Sequence, residues 1–267
     1  MTYQPFDVTD RVVVITGGAG LLGEQYALGI AAMGAKVVIA DLEFAKAQSI
    51  AQKAPGLLAV QLDVAEPESV RSLLDTTLAE FGRVDSLVNN AALDPKFDKS
   101  VTVQNNFSFE QFPLSAWRHA LEVNLTGSFL ATQILAPALV RSGRGTVINI
   151  SSTYGMNGPD QRLYEASPDE PPSFKPVSYS VTKSAMIGFT KYLAAYYRDK
   201  LRINTLTIGG VFNDHDPTFV ARYSDRTPLN RMARKDEYVG ALAFLISDAS
   251  SYMTGSNLVC DGGWGAW

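Results

Sequence analysis

The sequence predicts an α/β protein built on one doubly wound parallel sheet of about seven strands, with helices on both faces. Short apolar runs rich in β-branched residues alternate with longer helical patterns along the chain. Most of these runs are continuously apolar, as expected for strands that are covered on both faces. The chain has 267 residues and shows no internal repeat or low-complexity linker, so we predict a single Rossmann-like domain over residues 1–267.

The predicted elements follow one another in a βα order. The first strand, 11–16, precedes a glycine-rich turn and a helix that reaches about Met33, where Gly34 ends it. The later strands are assigned from short apolar runs, and the later helices from apolar residues at helical spacing. Further strands are predicted at 36–40, 57–62, 85–89, 145–150, 202–208 and 257–260, and further helices at 43–53, 67–81, 115–141, 177–198 and 235–247.

Two stretches interrupt this order, 94–113 and 155–176. Both are rich in turn residues and lack periodicity, and long loops of this kind in compact domains are usually functional or disordered. Each follows a strand, at the end of the sheet where ligands bind in such folds. We predict that the two insertions shape a substrate pocket; the alternative is that they are surface loops without a role.

Composition and charge narrow the class of protein. The net charge of −4 and the scattered basic residues argue against a nucleic-acid partner. The single cysteine, Cys260, suits a reducing compartment, and the N-terminus lacks a signal-peptide pattern. No apolar stretch is expected to reach the roughly 18 residues of a membrane helix. We therefore expect a cytoplasmic protein with no membrane partner. His119 and His215 lack companions at ligand spacing, so no metal is expected.

The turn between the first strand and the first helix, TGGAGLLG at 16–23, has the arrangement that binds a dinucleotide pyrophosphate. Glycines let the backbone approach the phosphates, and the helix N-terminus offers free N–H groups and the positive end of its dipole. A glycine motif alone is weak evidence, because glycines also serve tight structural turns. Its place between a strand and a helix favours the dinucleotide.

Asp41 indicates which dinucleotide is bound. It ends the second predicted strand, 18 residues after Gly23, where a carboxylate can accept hydrogen bonds from the adenosine ribose hydroxyls. A carboxylate would repel the 2′-phosphate of NADP, and neither the glycine turn nor Leu42 supplies a cation. The sequence therefore favours NAD. Asp41 could also cap the helix that begins near Glu43.

Tyr179 and Lys183 form the clearest catalytic pattern, because a spacing of four places them on one face of a helix. A free tyrosine has a pKa near 10. The ammonium of Lys183, together with the positive charge of an oxidised nicotinamide, would favour the phenolate. Upstream, the stretch INISSTYG delivers Ser152 from the end of a strand.

Taken together, these motifs resemble the short-chain dehydrogenase/reductase family, and the resemblance covers essentially the whole chain in the right order. A single Y-x-x-x-K pattern is common by chance, so the match depends on the full set. The matching positions are Thr16-Gly17 with Gly23, Asp63, Asn89-Asn90-Ala91, Asn124, Ser152, Tyr179, Lys183 and Asp261-Gly262-Gly263.

The resemblance implies a proton-transfer set. Tyr179 would be the acid/base, and Lys183 would lower its pKa and reach the nicotinamide ribose. Ser152 would orient the substrate oxygen, and Asn124 would hold a water molecule for a proton relay. The resemblance also implies a cofactor-binding set: Gly17, Gly20, Leu22, Gly23, Asp41, Asp63, Val64, Asn90, Ala91, Tyr179, Lys183, Gly209, Val211 and Asn213.

The chain departs from the family pattern in several places. Leu21 stands at the middle glycine of the turn, which suggests a turn re-formed around Gly20, and Ala92 replaces the last glycine of the NNAG motif. The gap from Ser152 to Tyr179 is about twice the usual length. The ending DGGWGAW and the stretch 209–233 resemble a bacterial subset associated with flagellin modification and nonulosonic-acid sugars. That resemblance would imply a sugar-like substrate.

The predicted function is therefore NAD-dependent hydride transfer between nicotinamide and a secondary alcohol or ketone of a small molecule. One alternative is a non-catalytic protein that senses or binds NAD, but a sensor has no need for the proton-transfer set. Another is a sugar-nucleotide epimerase or dehydratase, which usually has a longer chain.

The resemblance also implies a homo-oligomer, a tetramer or a dimer. Ser180, Ser184 and Gly188 form a stripe of small residues that would admit a partner helix or pack within the subunit. Trp264 and Trp267 would dock at a subunit interface or pack on their own subunit.

Overall fold

The computed structural model describes residues 4–94, 108–165 and 173–267, and its centre is a seven-stranded sheet in which every neighbouring pair is parallel. The strand order is β3-β2-β1-β4-β5-β6-β7. The strands are β1 (Val12–Thr16), β2 (Lys36–Asp41), β3 (Leu57–Gln61), β4 (Ser86–Asn89), β5 (Thr146–Ser152), β6 (Arg202–Ile208) and β7 (Asn257–Cys260). This confirms the predicted doubly wound α/β fold.

The helices lie on both faces of this sheet. They are α1 (Leu21–Ala32), α2 (Phe44–Ala51), α3 (Pro67–Phe81), α4 (Leu114–Leu121), α5 (Gly127–Arg141), α6 (Thr153–Met156), α7 (Val177–Tyr197), α8 (Pro217–Arg226) and α9 (Val239–Ile246). A π-helical segment, Glu122–Thr126, joins α4 to α5 without a break. The sequence predicted α4 and α5 as one ordinary helix and did not predict α6 or α8.

Each face of the sheet carries its own apolar core. Along β1, Val13 and Ile15 belong to one core and Val14 to the other, as the period of two in a strand requires. Buried residues of α1, α2 and α9 complete the first core, and those of α3, α5 and α7 complete the second. The strand order reverses between β1 and β4, so a crevice opens beyond the carboxyl ends of these strands, where ligands bind in open parallel sheets.

A buried carboxylate holds the opposite, amino-terminal end of the sheet. Asp85 lies directly before β4 and is fully buried. It accepts hydrogen bonds from the Val12 amide at 3.0 Å, from Arg83 at 2.6 Å and from Arg144 at 3.1 Å. Burial alone would raise the pKa of Asp85, but the hydrogen bonds from Arg144, Val12 and Arg83 outweigh it and lower that pKa. The network ties the starts of β1, β4 and β5 together.

The helical stretch Leu114–Arg141 is 28 residues long and is apolar enough, by composition, to cross a membrane. This corrects the expectation that no stretch reaches that length. About 50% of its most apolar window is buried inside the fold, where Leu135 and Leu139 pack in the second core. The core helix of a soluble protein passes the same test, and the absence of a membrane partner stays a prediction.

The C-terminal tryptophans differ in their surroundings. Trp264 is 1% exposed and stacks on Tyr223, with ring centroids 4.3 Å apart. Trp267 is exposed, and its indole N–H donates to the Arg226 carbonyl oxygen at 3.0 Å. Trp264 therefore packs on its own subunit.

The small-residue stripe on α7 is not uniform. The Ser184 hydroxyl donates to the Gly155 carbonyl of α6 at 2.8 Å, whereas Gly188 has open space beside it. The oligomeric state stays a prediction.

Candidate active site

The glycine turn lies at the carboxyl end of β1 and is held in shape by close backbone approaches. Gly17 has φ +61°, and a Cβ there would lie 2.7 Å from the Ala91 Cα, so only glycine fits. A Cβ on Gly23 would collide with the Gly17 carbonyl oxygen. The Asn90 side chain donates to the carbonyl oxygens of Thr16 at 3.0 Å and Gly17 at 2.9 Å, which fixes the turn against the end of β4.

The N-terminus of α1 is available to an anion. Gly20 is its N-cap residue, and no side chain of the described residues caps the helix. The Gly20 amide donates to the Gly17 carbonyl at 3.1 Å, which is how the turn re-forms around Gly20 while Leu21 becomes the first helical residue. Leu22 packs against the first core. An uncapped helix start with glycines before it fits a dinucleotide pyrophosphate.

Asp41 lies beside this turn at the end of β2. One carboxylate oxygen accepts from the Ala19 amide at 2.8 Å, and the other accepts from the Glu43 amide at 2.9 Å. The residue therefore supports the glycine turn and the start of α2 at the same time. A carboxylate has about four lone-pair positions, so acceptor capacity is left for ribose hydroxyls.

The other predicted cofactor residues occupy the same carboxyl-terminal edge. The Asp63 carboxylate accepts from the Ala65 amide at 3.0 Å, and Val64 packs against Gly127 at the start of α5. On the far side of the crevice, the Gly209 amide donates to the Cys260 carbonyl oxygen at 2.9 Å. There, Val211 pairs with Ala233 and the Asn213 amide donates to His215 Nδ1 at 3.1 Å.

Ser152 and Tyr179 meet at the end of β5. Ser152 is the last residue of that strand and the N-cap of α6, where its hydroxyl accepts from the Tyr154 amide at 3.2 Å. A hydrogen bond with Ser152 lowers the pKa of Tyr179, but burial and the carboxylate of Asp94 both raise it, and burial is the largest effect. The pKa of Tyr179 in the chain alone is therefore raised above 10, contrary to the direction expected from Lys183.

The position of Lys183 explains this result. Its ammonium donates to the Ile150 carbonyl oxygen at 3.0 Å and lies 5.9 Å from the centre of the Tyr179 ring. Lys183 is itself 6% exposed. Burial is the largest effect on its pKa, the carboxylate of Asp94 opposes it, and the positive charge of Lys175 adds to it; together they lower the pKa of Lys183 to about 8. At this distance from the ring, the Lys183 ammonium does not offset the effect of burial on the pKa of Tyr179.

Asn124 lies in the π-helical segment and links three elements. Its side-chain oxygen accepts from the Leu93 amide at 2.7 Å, and its side-chain nitrogen donates to the Leu93 carbonyl and the Thr182 hydroxyl, both at 3.2 Å. Single π-helical turns occur frequently at functional sites. Here the side chain of Asn124 joins the loop after β4 to Thr182 of α7, three residues from Tyr179.

Sequence analysis missed two charged residues at this site, Asp94 and Lys175. The Lys175 ammonium lies 2.6 Å from an Asp94 carboxylate oxygen and 4.0 Å from the centre of the Tyr179 ring. Gln161 holds Lys175 in place by accepting from its backbone amide at 2.9 Å. The two residues are 81 positions apart in the chain, and both lie in stretches without periodicity. No spacing in the sequence could have paired them.

An aromatic cluster packs beside the catalytic tyrosine. It contains Tyr154, Tyr164, Tyr223 and Trp264, with Tyr179 against its edge. The Tyr164 and Tyr154 hydroxyls are 3.0 Å apart, and the Tyr223 hydroxyl accepts from the Gly210 amide at 2.6 Å. Two residues of the second predicted insertion, Tyr164 and Lys175, therefore lie beside Tyr179. That the insertions shape a substrate pocket stays a prediction. Residues 95–107 and 166–172 of the two insertions lie outside the described residues.

Across residues 4–94, 108–165 and 173–267, no group of three or more His, Cys, Asp or Glu could hold a metal ion. His215 stacks on Phe219 with ring centroids 5.2 Å apart.

Comparison with known proteins identifies the family. Residues 11–168 match the family described as short chain dehydrogenase, and residues 172–265 match one described as enoyl-(acyl carrier protein) reductase. L-fucose dehydrogenase of Bos taurus is 32% identical over 264 residues, covering 95% of this chain and 88% of that protein. Trans-4-hydroxycyclohexanecarboxylate dehydrogenase of Sinomonas cyclohexanicum is 33% identical over 267 residues, covering 96% and 93%.

A solved structure of a dehydrogenase has the same fold as this chain. Gluconate 5-dehydrogenase from Burkholderia cenocepacia, in complex with NADP and tartrate, superposes with a TM-score of 0.85 at 28% identity, covering 98% of each chain. The resemblance to the flagellin-modification subset stays a prediction. The chain belongs to the short-chain dehydrogenase/reductase family.

Proposed function

We propose that this protein is an NAD-dependent oxidoreductase that transfers a hydride between nicotinamide and a secondary alcohol or ketone carbon of a polar, sugar-like or cyclic substrate. The observation that carries the proposal is the grouping of Ser152, Tyr179 and Lys183 at the carboxyl end of β5, beside the crevice at the end of β1. Relatives named for a sugar and for a cyclic hydroxy acid support the substrate class.

The residues divide the chemistry among them. A bound nicotinamide dinucleotide supplies the hydride acceptor or donor. Ser152 holds the substrate oxygen by a hydrogen bond, and Tyr179 accepts the hydroxyl proton during oxidation or donates it during reduction. Lys183 contributes positive charge that favours the phenolate of Tyr179. Asn124 holds α7, the helix that carries Tyr179 and Lys183, against the loop after β4.

Asp41 supports NAD as the preferred dinucleotide. Its carboxylate lies beside the glycine turn, where it would repel an adenosine 2′-phosphate and accept hydrogen bonds from the free ribose hydroxyls. Because a solved relative is in complex with NADP, the test compares the two dinucleotides directly.

A direct test is to incubate the purified protein with NAD or NADP and a panel of sugars, polyols, cyclic alcohols and their ketones. We expect reduced cofactor to form, seen by its near-ultraviolet absorbance, faster with NAD than with NADP. Binding of the dinucleotide without turnover of any panel member would favour a protein that only senses NAD.

A further inference from the structure

Asp94 and Lys175 form a buried ion pair next to the proposed catalytic tyrosine. The Lys175 side chain is 5% exposed and that of Asp94 is 16% exposed, and their charged atoms are 2.6 Å apart. The ammonium also lies over the Tyr179 ring at 4.0 Å. Together the two distances keep the bonded Asp94 oxygen within about 7 Å of the ring centre. Neither residue has a part in the proton transfer described above.

The two oxygens of Asp94 are not equivalent. Oδ2 accepts from Lys175, whereas Oδ1 is buried and has no hydrogen-bond partner within the part of the chain that the structure describes. A buried carboxylate oxygen without a donor is costly, and such an atom in a native protein calls for an explanation. Because the carboxylate as a whole keeps some exposure, a ligand that enters the site can supply the missing donor.

The geometry points to Asp94 as the residue that recognises a second hydroxyl group of the substrate, neighbouring the carbon that is oxidised, with Lys175 holding the carboxylate in place. This inference rests on the proposed function, since it assigns a specificity role within the same site. It names the substrate class more closely: an uncharged compound with adjacent hydroxyl groups, such as a free sugar or a cyclic diol.

The charges of the Asp94–Lys175 pair favour contact with a hydroxyl group of the substrate over contact with an anionic group. The ammonium of Lys175 is already neutralised by Asp94, so a substrate carboxylate would meet a carboxylate as well as a cation. A hydroxyl can donate to Oδ1 without breaking the ion pair. Sites built to hydrogen-bond a substrate hydroxyl reject analogues that lack it, because a buried polar group is then left unpaired.

The experiment compares paired substrates that differ in one hydroxyl: trans-1,2-cyclohexanediol with cyclohexanol, and galactose with 2-deoxygalactose. The readout is the ratio of kcat/KM within each pair. The test protein carries Asp94→Leu with Lys175→Met, because replacing both members of a buried ion pair by apolar residues is often neutral for stability. The matched control changes the exposed residues Asp75 and Lys191 to Leu and Met in the same way.

We expect the wild-type protein and the control to prefer the diol member, and the double variant to lose about 10- to 100-fold of that preference, the size expected for one hydrogen bond to a charged group. A single Asp94→Asn variant should show a smaller loss in the same direction. The melting temperature of each variant is measured alongside, so that a loss of folding is seen separately.

An unchanged ratio in a folded double variant would overturn this inference while leaving the proposed function intact. So would a preference of the wild-type protein for 2-hydroxycyclohexanecarboxylate over the diol, because Lys175 would then be an anion-binding residue. Failure of the wild-type protein to oxidise any of these alcohols with NAD or NADP would contradict the proposed function itself.

Discussion

At the amino-terminal end of the sheet, the buried carboxylate of Asp85 is surrounded by Arg83, Arg144 and the Val12 amide, and both of its oxygens accept hydrogen bonds. At the carboxyl-terminal end, the carboxylate of Asp94 pairs with Lys175 through one oxygen, and its other oxygen has no donor among the residues that the structure describes. The hydrogen bonds to Asp85 all come from the chain itself, whereas the free oxygen of Asp94 can accept a hydrogen bond from a ligand. We therefore expect charge at the amino-terminal end to serve stability, and charge at the carboxyl-terminal end to serve binding and catalysis.

The largest effect that this comparison predicts is on turnover at the carboxyl-terminal end. Tyr179→Phe removes the group that carries the proton, so kcat should fall by about 100- to 10,000-fold. The affinity for NAD should stay within a few-fold. The matched control is Tyr196→Phe, because Tyr196 is an exposed tyrosine on the same helix. Equal activity of the Tyr179 variant and this control would remove Tyr179 from the mechanism.

The amino-terminal end should respond in stability instead. Asp85→Asn removes the charge that pairs with Arg83 and Arg144. We expect this change to lower the free energy of unfolding by about 2–3 kcal/mol. The loss is smaller than for a fully buried ion pair because both guanidinium groups are partly exposed. Urea unfolding measures this change. A stability loss with unaltered kcat per folded molecule is the expected pattern, and a large loss of kcat would contradict the division between the two ends.

The stability contributed by Asp85 also has a predictable pH dependence. Its pKa is lowered in the folded chain, so its contribution is present above the unfolded pKa near 4 and is lost as pH falls through the folded value. The stability difference between the wild-type protein and Asp85→Asn should therefore shrink towards acidic pH. A difference that stays constant down to acid unfolding would mean that the carboxylate charge is not what stabilises the sheet.

A third prediction concerns which dinucleotide is preferred. Asp41→Asn keeps an acceptor for the Ala19 amide but removes the negative charge, so the ratio of kcat/KM for NAD over NADP should fall by about tenfold, or roughly 1.4 kcal/mol. Asp75→Asn on the exposed face of α3 is the matched control. An unaltered ratio would show that Asp41 only supports the glycine turn.

The smallest expected effect is a shift in a pH profile. Burial lowers the pKa of Lys183 to about 8, and kcat/KM for the cofactor reports the groups of the free protein. That quantity should decline as pH rises through about 8, where Lys183 loses its charge. The positive charge of Lys175 lowers the pKa of Lys183, so Lys175→Met should move the decline to higher pH, whereas Lys191→Met should not. A shift to lower pH would contradict the account.

Much of the fold could be predicted because strands and glycines leave local patterns. All seven strands were placed within two residues of their ends, since buried parallel strands are apolar throughout. Helix α8 was missed although Asp216 and Pro217 form an N-cap and N1 pair, with Asp216 accepting from the Thr218 amide. The π-helical turn at Asn124 was missed because it continues the helix without any change in composition.

The candidate site was predictable only where residues share a local motif. Tyr179 and Lys183 are one helical turn apart, so spacing grouped these two. Ser152 ends a strand, and the resemblance to the family joined it to them. Asp94 and Lys175 come together only through the tertiary fold. The direction of the Tyr179 pKa was also beyond the sequence, because it depends on burial and on Asp94, neither of which a spacing reveals.

The central claim is that a hydride passes directly between a substrate carbon and nicotinamide at Tyr179. The measurement closest to it uses an alcohol deuterated at the reacting carbon, taken from the panel members that the protein oxidises, followed by mass spectrometry of the reduced cofactor. We predict that the deuterium is found on the nicotinamide ring, and that Tyr179→Phe forms labelled cofactor far more slowly. Deuterium recovered in water, or oxidised substrate without reduced cofactor, would contradict the account.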